Sequence, residues 1–355
     1  MNTIKVYILG AGCSVCGEYP MASQVTAKLL DFARTRLVRD DAKELYRCTM
    51  ETCVRMKELG VDTIDQLAET LNGSEPDVIC DAKLAMSIYF LSLEDAAVER
   101  ALANYSVFFE ELFRYGDCSL LESRVKATPS RVITYNYDRL FERTFIDWAR
   151  GIEPFNQRMT SGLDGFVTTY LNTGFGNPHG IVLERDRFSF LKLHGGIGQF
   201  SRINDYGFKH IYRPQLSSPI SDFTDKNYYK PEGYSTDVLT LIFPADKNEE
   251  NGIQNGSSFV EYMQALEKQA LAFCEEAEEI QIIGYSIQPI DYFSFKSMIA
   301  VANNCKRIIV RNRASEKARL MRTLEGLKEE FEAKWEIEFK AEDFFACESA
   351  SAPAR

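Results

Sequence analysis

The chain has 355 residues, enough for one large domain or two ordinary ones and for a core that needs no disulfide or metal staple. Hydrophobic residues at 45% and charged residues at 26% exclude disorder, a collagen-like repeat and a bare coiled coil. With 41 basic against 52 acidic side chains the net charge is −11, which argues against direct nucleic-acid binding, because phosphate contacts need a concentrated basic face.

The first element is a strand-length apolar run at 4–9, with neither the basic flank nor the cleavage site of a signal peptide. No apolar stretch approaches the ~20 residues that cross a bilayer. The nine cysteines, odd in number and irregularly spaced, read as reduced thiols. These features predict a soluble, cytoplasmic protein with no membrane partner.

Short β-branched or aromatic runs predict strands at 4–10, 132–138, 188–194, 238–243, 280–285 and 307–311. Most are continuously apolar, the habit of strands buried on both faces of a parallel sheet. Pro20 suits a helix start, and Ala22, Val25, Leu29 and Ala33 then fall on one face. Residues 35–128 carry no strand pattern and several amphipathic helices, among them 64–71, 82–93 and 104–115. That is far more than one crossover requires, so they predict an inserted helical lobe. Residues 151–187, rich in Gly, Asn and Thr, read as loops near the sheet's carboxyl edge. Residues 199–236, with Pro214, Pro219, Pro231 and several tyrosines, read as irregular. A helix at 315–334 and a strand at 335–340 follow. One domain over 1–345 is expected, with 346–355 a flexible tail.

Chemistry gathers where these strands end. Gly10-Ala11-Gly12-Cys13-Ser14 follows the first strand, and paired glycines there permit a tight turn and close approach of backbone N–H groups to a diphosphate. A plain structural turn is the alternative. The dehydrogenase fingerprint is broken, since position 15 is Val15 and Asp31 falls inside a helical pattern. The second strand delivers Thr134-Tyr135-Asn136-Tyr137-Asp138, an amide and a carboxylate suited to ribose hydroxyls or a carboxamide. Asp138 also reads as a cap for a helix beginning near Arg139. The third strand delivers His194-Gly195-Gly196; this histidine, one of three with His179 and His210, is a general-base candidate. Gly284-Tyr285-Ser286, with Asp291 beyond, and Asn312 end two later strands. The single CxxC, Cys13 to Cys16, has no second pair; it reads as incidental, with redox sensitivity or metal binding as alternatives.

Taken in order, Gly10–Ser14, Thr134–Asp138, His194-Gly195, Gly284–Ser286 and Asn312 resemble the NAD-binding motifs of the sirtuin family, with the Asn-Tyr-Asp and His-Gly forms closer to its bacterial sirtuin-like branch. Phe243-Pro244-Ala245-Asp246-Lys247 resembles a Pro…Lys element of that branch. The four-cysteine zinc ribbon of sirtuin deacylases has no counterpart, because no cysteine lies between Cys118 and Cys274. The resemblance implies a Rossmann-like, doubly wound parallel α/β fold with an inserted helical lobe, NAD+ as substrate and no metal. It implies hydrolysis of the nicotinamide–ribose bond, with His194 as base, Asn136 orienting ribose and water, and Asp138 on the carboxamide. Gly10, Ala11, Gly12 and Ser14 would cradle the diphosphate, and Gly284, Ser286 and Asn312 the adenosine half. A zinc-free deacylase, an ADP-ribosyltransferase and a non-catalytic NAD or ADP-ribose sensor remain alternatives. Zinc-free members resemble antiphage effectors. An unrestrained hydrolase would drain its own cell, so a homo-oligomer or an activating protein partner is expected, with the lobe or the terminal helix as candidate control surfaces and plain packing onto the sheet as the alternative for both.

Overall fold

The computed structural model describes residues 3–38, 43–72, 74–116, 120–152, 188–197, 200–203, 209–212, 238–239 and 257–341. The expectations for 153–187, for most of 199–236, for 240–256 and for the tail fall outside the described residues, as does His179.

Six parallel strands form the main sheet: β1 (Lys5–Leu9), β2 (Arg131–Thr134), β3 (Ser189–Lys192), β7 (Glu279–Ile283), β8 (Arg307–Asn312) and β9 (Glu336–Ala341). Their spatial order is β3-β2-β1-β7-β8-β9. Leu9 lies opposite Thr134 on one side and Ile283 on the other. This is the doubly wound α/β arrangement expected, and the winding reverses between β1 and β7, where such sheets open a crevice at their carboxyl ends. A separate antiparallel sheet has the order β5-β4-β6, from β4 (Phe200–Ile203), β5 (Lys209–Tyr212) and β6 (Val238–Leu239). The run beginning at Val238 therefore belongs to this second sheet and not to the parallel one. β4 and β5 lie where the sequence reads as irregular.

Both faces of the parallel sheet are covered, which is why its strands lack polar alternation. Tyr7, Leu9, Val132 and Phe190 pack against α4 (Pro76–Leu112) and α6 (Leu140–Ile152). Phe141 stacks on Phe190 with ring centroids 4.4 Å apart, and Tyr7 meets Phe108 edge-on at 5.5 Å. On the opposite face Val6, Ile8, Ile133, Leu191, Ile280, Ile282 and Val310 share a core with α7 (Ser257–Glu276), α8 (Tyr292–Ala300) and α9 (Lys317–Glu330).

Among the described residues, a 3-10 turn at Ala11–Gly17 and five α-helices stand between β1 and β2: α1 (Ala22–Arg36), α2 (Lys43–Leu59), α3 (Ile64–Leu71), α4 and α5 (Leu121–Ala127). The helices expected at 82–93 and 104–115 are one continuous α4, roughly 55 Å long at 1.5 Å per residue. The charged stretch around Glu94 interrupts the apolar pattern but holds no glycine or proline to break the helix. Glu94 is buried because Arg139 grips it bidentately, at 2.6 Å for each bond, and Arg143 adds a contact at 3.2 Å. That cluster pins α4 to the start of α6, directly behind the loop that follows β2.

Candidate functional site

The loop after β2 begins earlier than the apolar run suggests. Thr134 Oγ1 accepts the Asn136 N–H at 3.1 Å, a local turn that takes Asn136 and Tyr137 out of the ladder. Asn136 Nδ2 donates to Gly10 O at 3.0 Å and to Ser14 Oγ at 3.1 Å. A backbone carbonyl can only accept, so these bonds fix which way the amide points. The Asn136 Oδ1 has no partner among the described residues, and the side chain is half-buried. Ser14 Oγ donates onward to Asp138 Oδ2 at 2.7 Å, and Asp138 Oδ1 accepts the Leu140 N–H at 2.9 Å.

Both Asp138 oxygens are thus engaged inside the protein. Asp138 starts α6, the cap that the sequence offered as an alternative, and braces Ser14. Burial pushes the Asp138 carboxyl up, while the Lys192 ammonium and the Ser14 hydroxyl pull it down. Lys192, fully buried on β3, donates to Asp138 O and to Glu142 Oε1, the latter at 3.1 Å.

The two glycine turns at the switch point are built for each other. Gly284 has φ +59°, and a Cβ there would sit 2.6 Å from Cys13 N. A Cβ on Gly12 would lie 2.7 Å from Gly284 Cα. Gly10 N–H donates to Ile283 O at 3.0 Å and Gly12 N–H to Gly284 O at 2.8 Å. These two N–H groups tie β1 to β7. Ala11 is exposed on the rim and Gly12, Gly284 and Ser286 are half-buried. Asn312 is a splint between strand ends: Nδ2 donates to Tyr285 O at 3.1 Å and Oδ1 accepts the Arg313 N–H at 2.8 Å. The Cys13 and Cys16 thiols are buried, and burial drives Cys13 well above the usual thiol range, which suits neither a nucleophile nor a ready metal ligand.

β3 hands His194 to a turn in which Gly195 takes φ +60°. Ile197 N–H donates to Tyr137 O at 2.9 Å, joining this turn to the β2 loop. The imidazole stacks on Tyr137 with centroids 5.3 Å apart and meets Tyr135 edge-on at 5.2 Å, while Tyr135 stacks on Tyr285 at 4.5 Å. His194 Nε2 lies 3.0 Å from Asp291 Oδ1, an ion-pair distance without hydrogen-bond alignment. Neither atom makes an aligned hydrogen bond among the described residues, nor do the Tyr135 and Tyr285 hydroxyls. Burial, with Asp291 nearby, pushes both tyrosine hydroxyls up.

Asn136, Ser14, Asp138 and Gly10 are therefore joined by direct bonds, and His194 is joined to the same loop through its rings. Sequence reasoning missed Lys192, whose signal is a charge inside an apolar strand run. It also missed the Asp291–His194 proximity, which no local pattern announces.

These features define a doubly wound parallel α/β protein with its polar groups at the carboxyl edge, around the switch point. No protein-family model and no curated protein sequence matches the chain. Among solved structures it is similar to Sir2Tm bound to a propionylated peptide, with 12% identity and a TM-score of 0.39 over 96% of this chain and 89% of that one. It is also similar to two mutants of a Sir2 homologue in complex with ADP ribose, each 12% identical over 94% of this chain and 95% of the other, at TM-scores of 0.36 and 0.35. Among the described residues no group of His, Cys, Asp and Glu is arranged to hold a metal ion, and no helix is long and apolar enough to cross a membrane.

Proposed function

We propose that the chain is an NAD+ hydrolase that cleaves the nicotinamide–ribose bond. The observation that carries the reading is Asn136, locked by Gly10 O and Ser14 Oγ with its amide oxygen left unpartnered, on the same loop that walls the His194 imidazole. The sirtuin-like order of the strand-end motifs supports NAD+ as the substrate.

In this reaction the C1′–N bond breaks and its electron pair passes to the pyridinium nitrogen, giving neutral nicotinamide. Water attacks the oxocarbenium-like C1′ and loses a proton, giving ADP-ribose. Because the leaving group is already activated, the protein has mainly to orient ribose and water and to accept a proton. Asn136 Oδ1 accepts from a ribose hydroxyl or the attacking water, and His194 takes the proton. Asp138 and Ser14 act by holding Asn136. Ser286, on the opposite lip, contacts the adenosine half.

The enzyme works in the cytoplasm as a regulated effector of the antiphage type, restrained until it self-associates or meets a protein partner. A shift of ~1 Å in the catalytic groups can cost about 10²-fold in rate, so assembly need only bias a small movement. Incubation with NAD+ while following free nicotinamide, over a wide range of protein concentration with mass read by light scattering, tests both points. Release of nicotinamide with ADP-ribose is expected, rising as the chain associates. Tight NAD+ binding without release under any of these conditions would make the chain a sensor, and turnover only with an acyl-lysine peptide would make it a deacylase.

A further inference from the structure

Asp291 stands immediately before α8, where an aspartate ordinarily caps the first turn, yet its side chain makes no capping bond. Its Oδ1 instead lies 3.0 Å from His194 Nε2, with both side chains about 95% buried. Among the described residues no lysine or arginine pairs with it. A carboxylate withdrawn from water needs a compensating donor, and the imidazole Nε2 stands 3.0 Å from this one. Tyr137 and Tyr135 set the plane of the ring from its face and edge. Of these three neighbours only Asp291 carries a formal charge.

We propose that Asp291 is a positioning residue for His194, engaging Nε2–H and leaving Nδ1 as the nitrogen that accepts the proton. The inference rests on the hydrolase reading and deepens it by naming which ring nitrogen works and what holds the other. In the step, the O–H bond of water or of a ribose hydroxyl breaks as its oxygen is used, and the proton goes to Nδ1. The carboxylate stays ionised beside the imidazolium until that proton leaves to solvent, the division of labour that makes a carboxylate–histidine pair effective. The buried Tyr135 and Tyr285 hydroxyls interact with one another, and Tyr285 with Asp291, so the carboxylate is not set in hydrocarbon alone.

The test uses the full chain. Nicotinamide release is measured for wild type and Asp291→Asn, and nitrogen NMR reads the His194 tautomer, its signals assigned with His194→Gln. Asp291→Asn should lower kcat by roughly 10²-fold or more with KM changed less than about 3-fold. In wild type Nε2 should carry the proton and Nδ1 should be bare, and the variant should lose that preference. A residue that merely starts α8 would move neither the kcat against KM split nor the tautomer. Unchanged kcat in a folded Asp291→Asn protein, or a wild-type His194 protonated at Nδ1 alone, overturns the proposal. If the wild type releases no nicotinamide, the hydrolase reading fails by itself. In that case, or if Asp291→Asn does not fold, the wild-type tautomer decides the pairing.

Discussion

On the α4–α6 side of the sheet's carboxyl edge, Ser14, Asn136, Asp138, Lys192 and Glu142 form a network in which nearly every polar atom is engaged, Glu142 Oε2 being the buried exception. On the α7–α8 side, His194, Asp291, Tyr135 and Tyr285 are as deeply buried, yet each has a polar atom without a hydrogen-bond partner among the described residues. A satisfied buried network rigidifies the fold, whereas an unsatisfied one costs free energy and is tolerated where something else completes it. The first group is scaffold for Asn136, and the second has bonds still to make. Mutations should therefore divide, with stability lost in the scaffold around Asn136 and rate lost at Asn136 itself and on the second side.

The sharpest test of that division is His194→Ala, expected to reduce nicotinamide release by about 10²–10⁴-fold while the protein stays folded. Asn136→Ala should behave similarly, with NAD+ binding, read by calorimetry, less affected than turnover. Undiminished turnover in a folded His194→Ala chain would remove the second group from the mechanism. The counterpart on the scaffold side is Lys192→Met. It strands the Glu142 carboxylate and the Asp138 carbonyl in the core, and breaking a buried ion pair from one side typically costs about 3–5 kcal/mol. Urea denaturation should register that loss, and Glu142→Leu added to Lys192→Met should recover much of it. A Lys192→Met protein of unchanged stability would break the comparison.

Both regions bear on what the sequence could disclose. The apolar runs are bounded by glycines and polar residues, so the strand ends, and with them Gly10, Ser14, Asn136, His194 and Gly284, are legible at the carboxyl edge. Legibility stops at side-chain direction. Nothing in Asn-Tyr-Asp says that Asp138 turns inward to Ser14 while Asn136 stays half-open, because the Thr134 side chain sets that turn. The union of two apolar segments into α4 was hidden by Glu94, whose partners Arg139 and Arg143 lie far along the chain. The Asp291–His194 pair is hidden for the same reason, since contacts across distant segments leave no periodicity.

A smaller effect follows from the raised Asp138 carboxyl. Burial makes the folded protein hold this proton more tightly than the unfolded chain, whose carboxyl titrates near the ordinary 3.8. The stability it contributes is then fully present below that value and is lost as pH rises through the folded-state value. Asp138→Asn abolishes this component. The stability difference between wild type and Asp138→Asn, followed by urea denaturation from about pH 3.5 to about pH 7, should favour wild type most at the acid end and shrink as pH rises. A difference independent of pH would show that Asp138 titrates alike in the folded and unfolded chains.

The smallest expected change lies where α9 touches the cleft. Arg319 donates to Ser286 O and reaches Ile287 O at 3.5 Å, while also pairing with Glu316 at 2.6 Å. The turn it holds is strained, because Ile287, buried and β-branched, has φ +49°. Such a conformation costs on the order of 1–3 kcal/mol. Arg319 is about half-exposed, so its bonds are screened by solvent and worth little individually. In Arg319→Ala two small terms oppose each other: the bonds are lost, and the turn is freed to relax toward an unstrained φ. Stability should therefore change by less than about 1 kcal/mol. Ser286, no longer fixed on its lip, should weaken the hold on NAD+, raising KM about 3-fold with kcat nearly constant. A large loss of stability in Arg319→Ala would mean that the clamp braces the core, and an unchanged KM would mean that Ser286 does not touch the nucleotide.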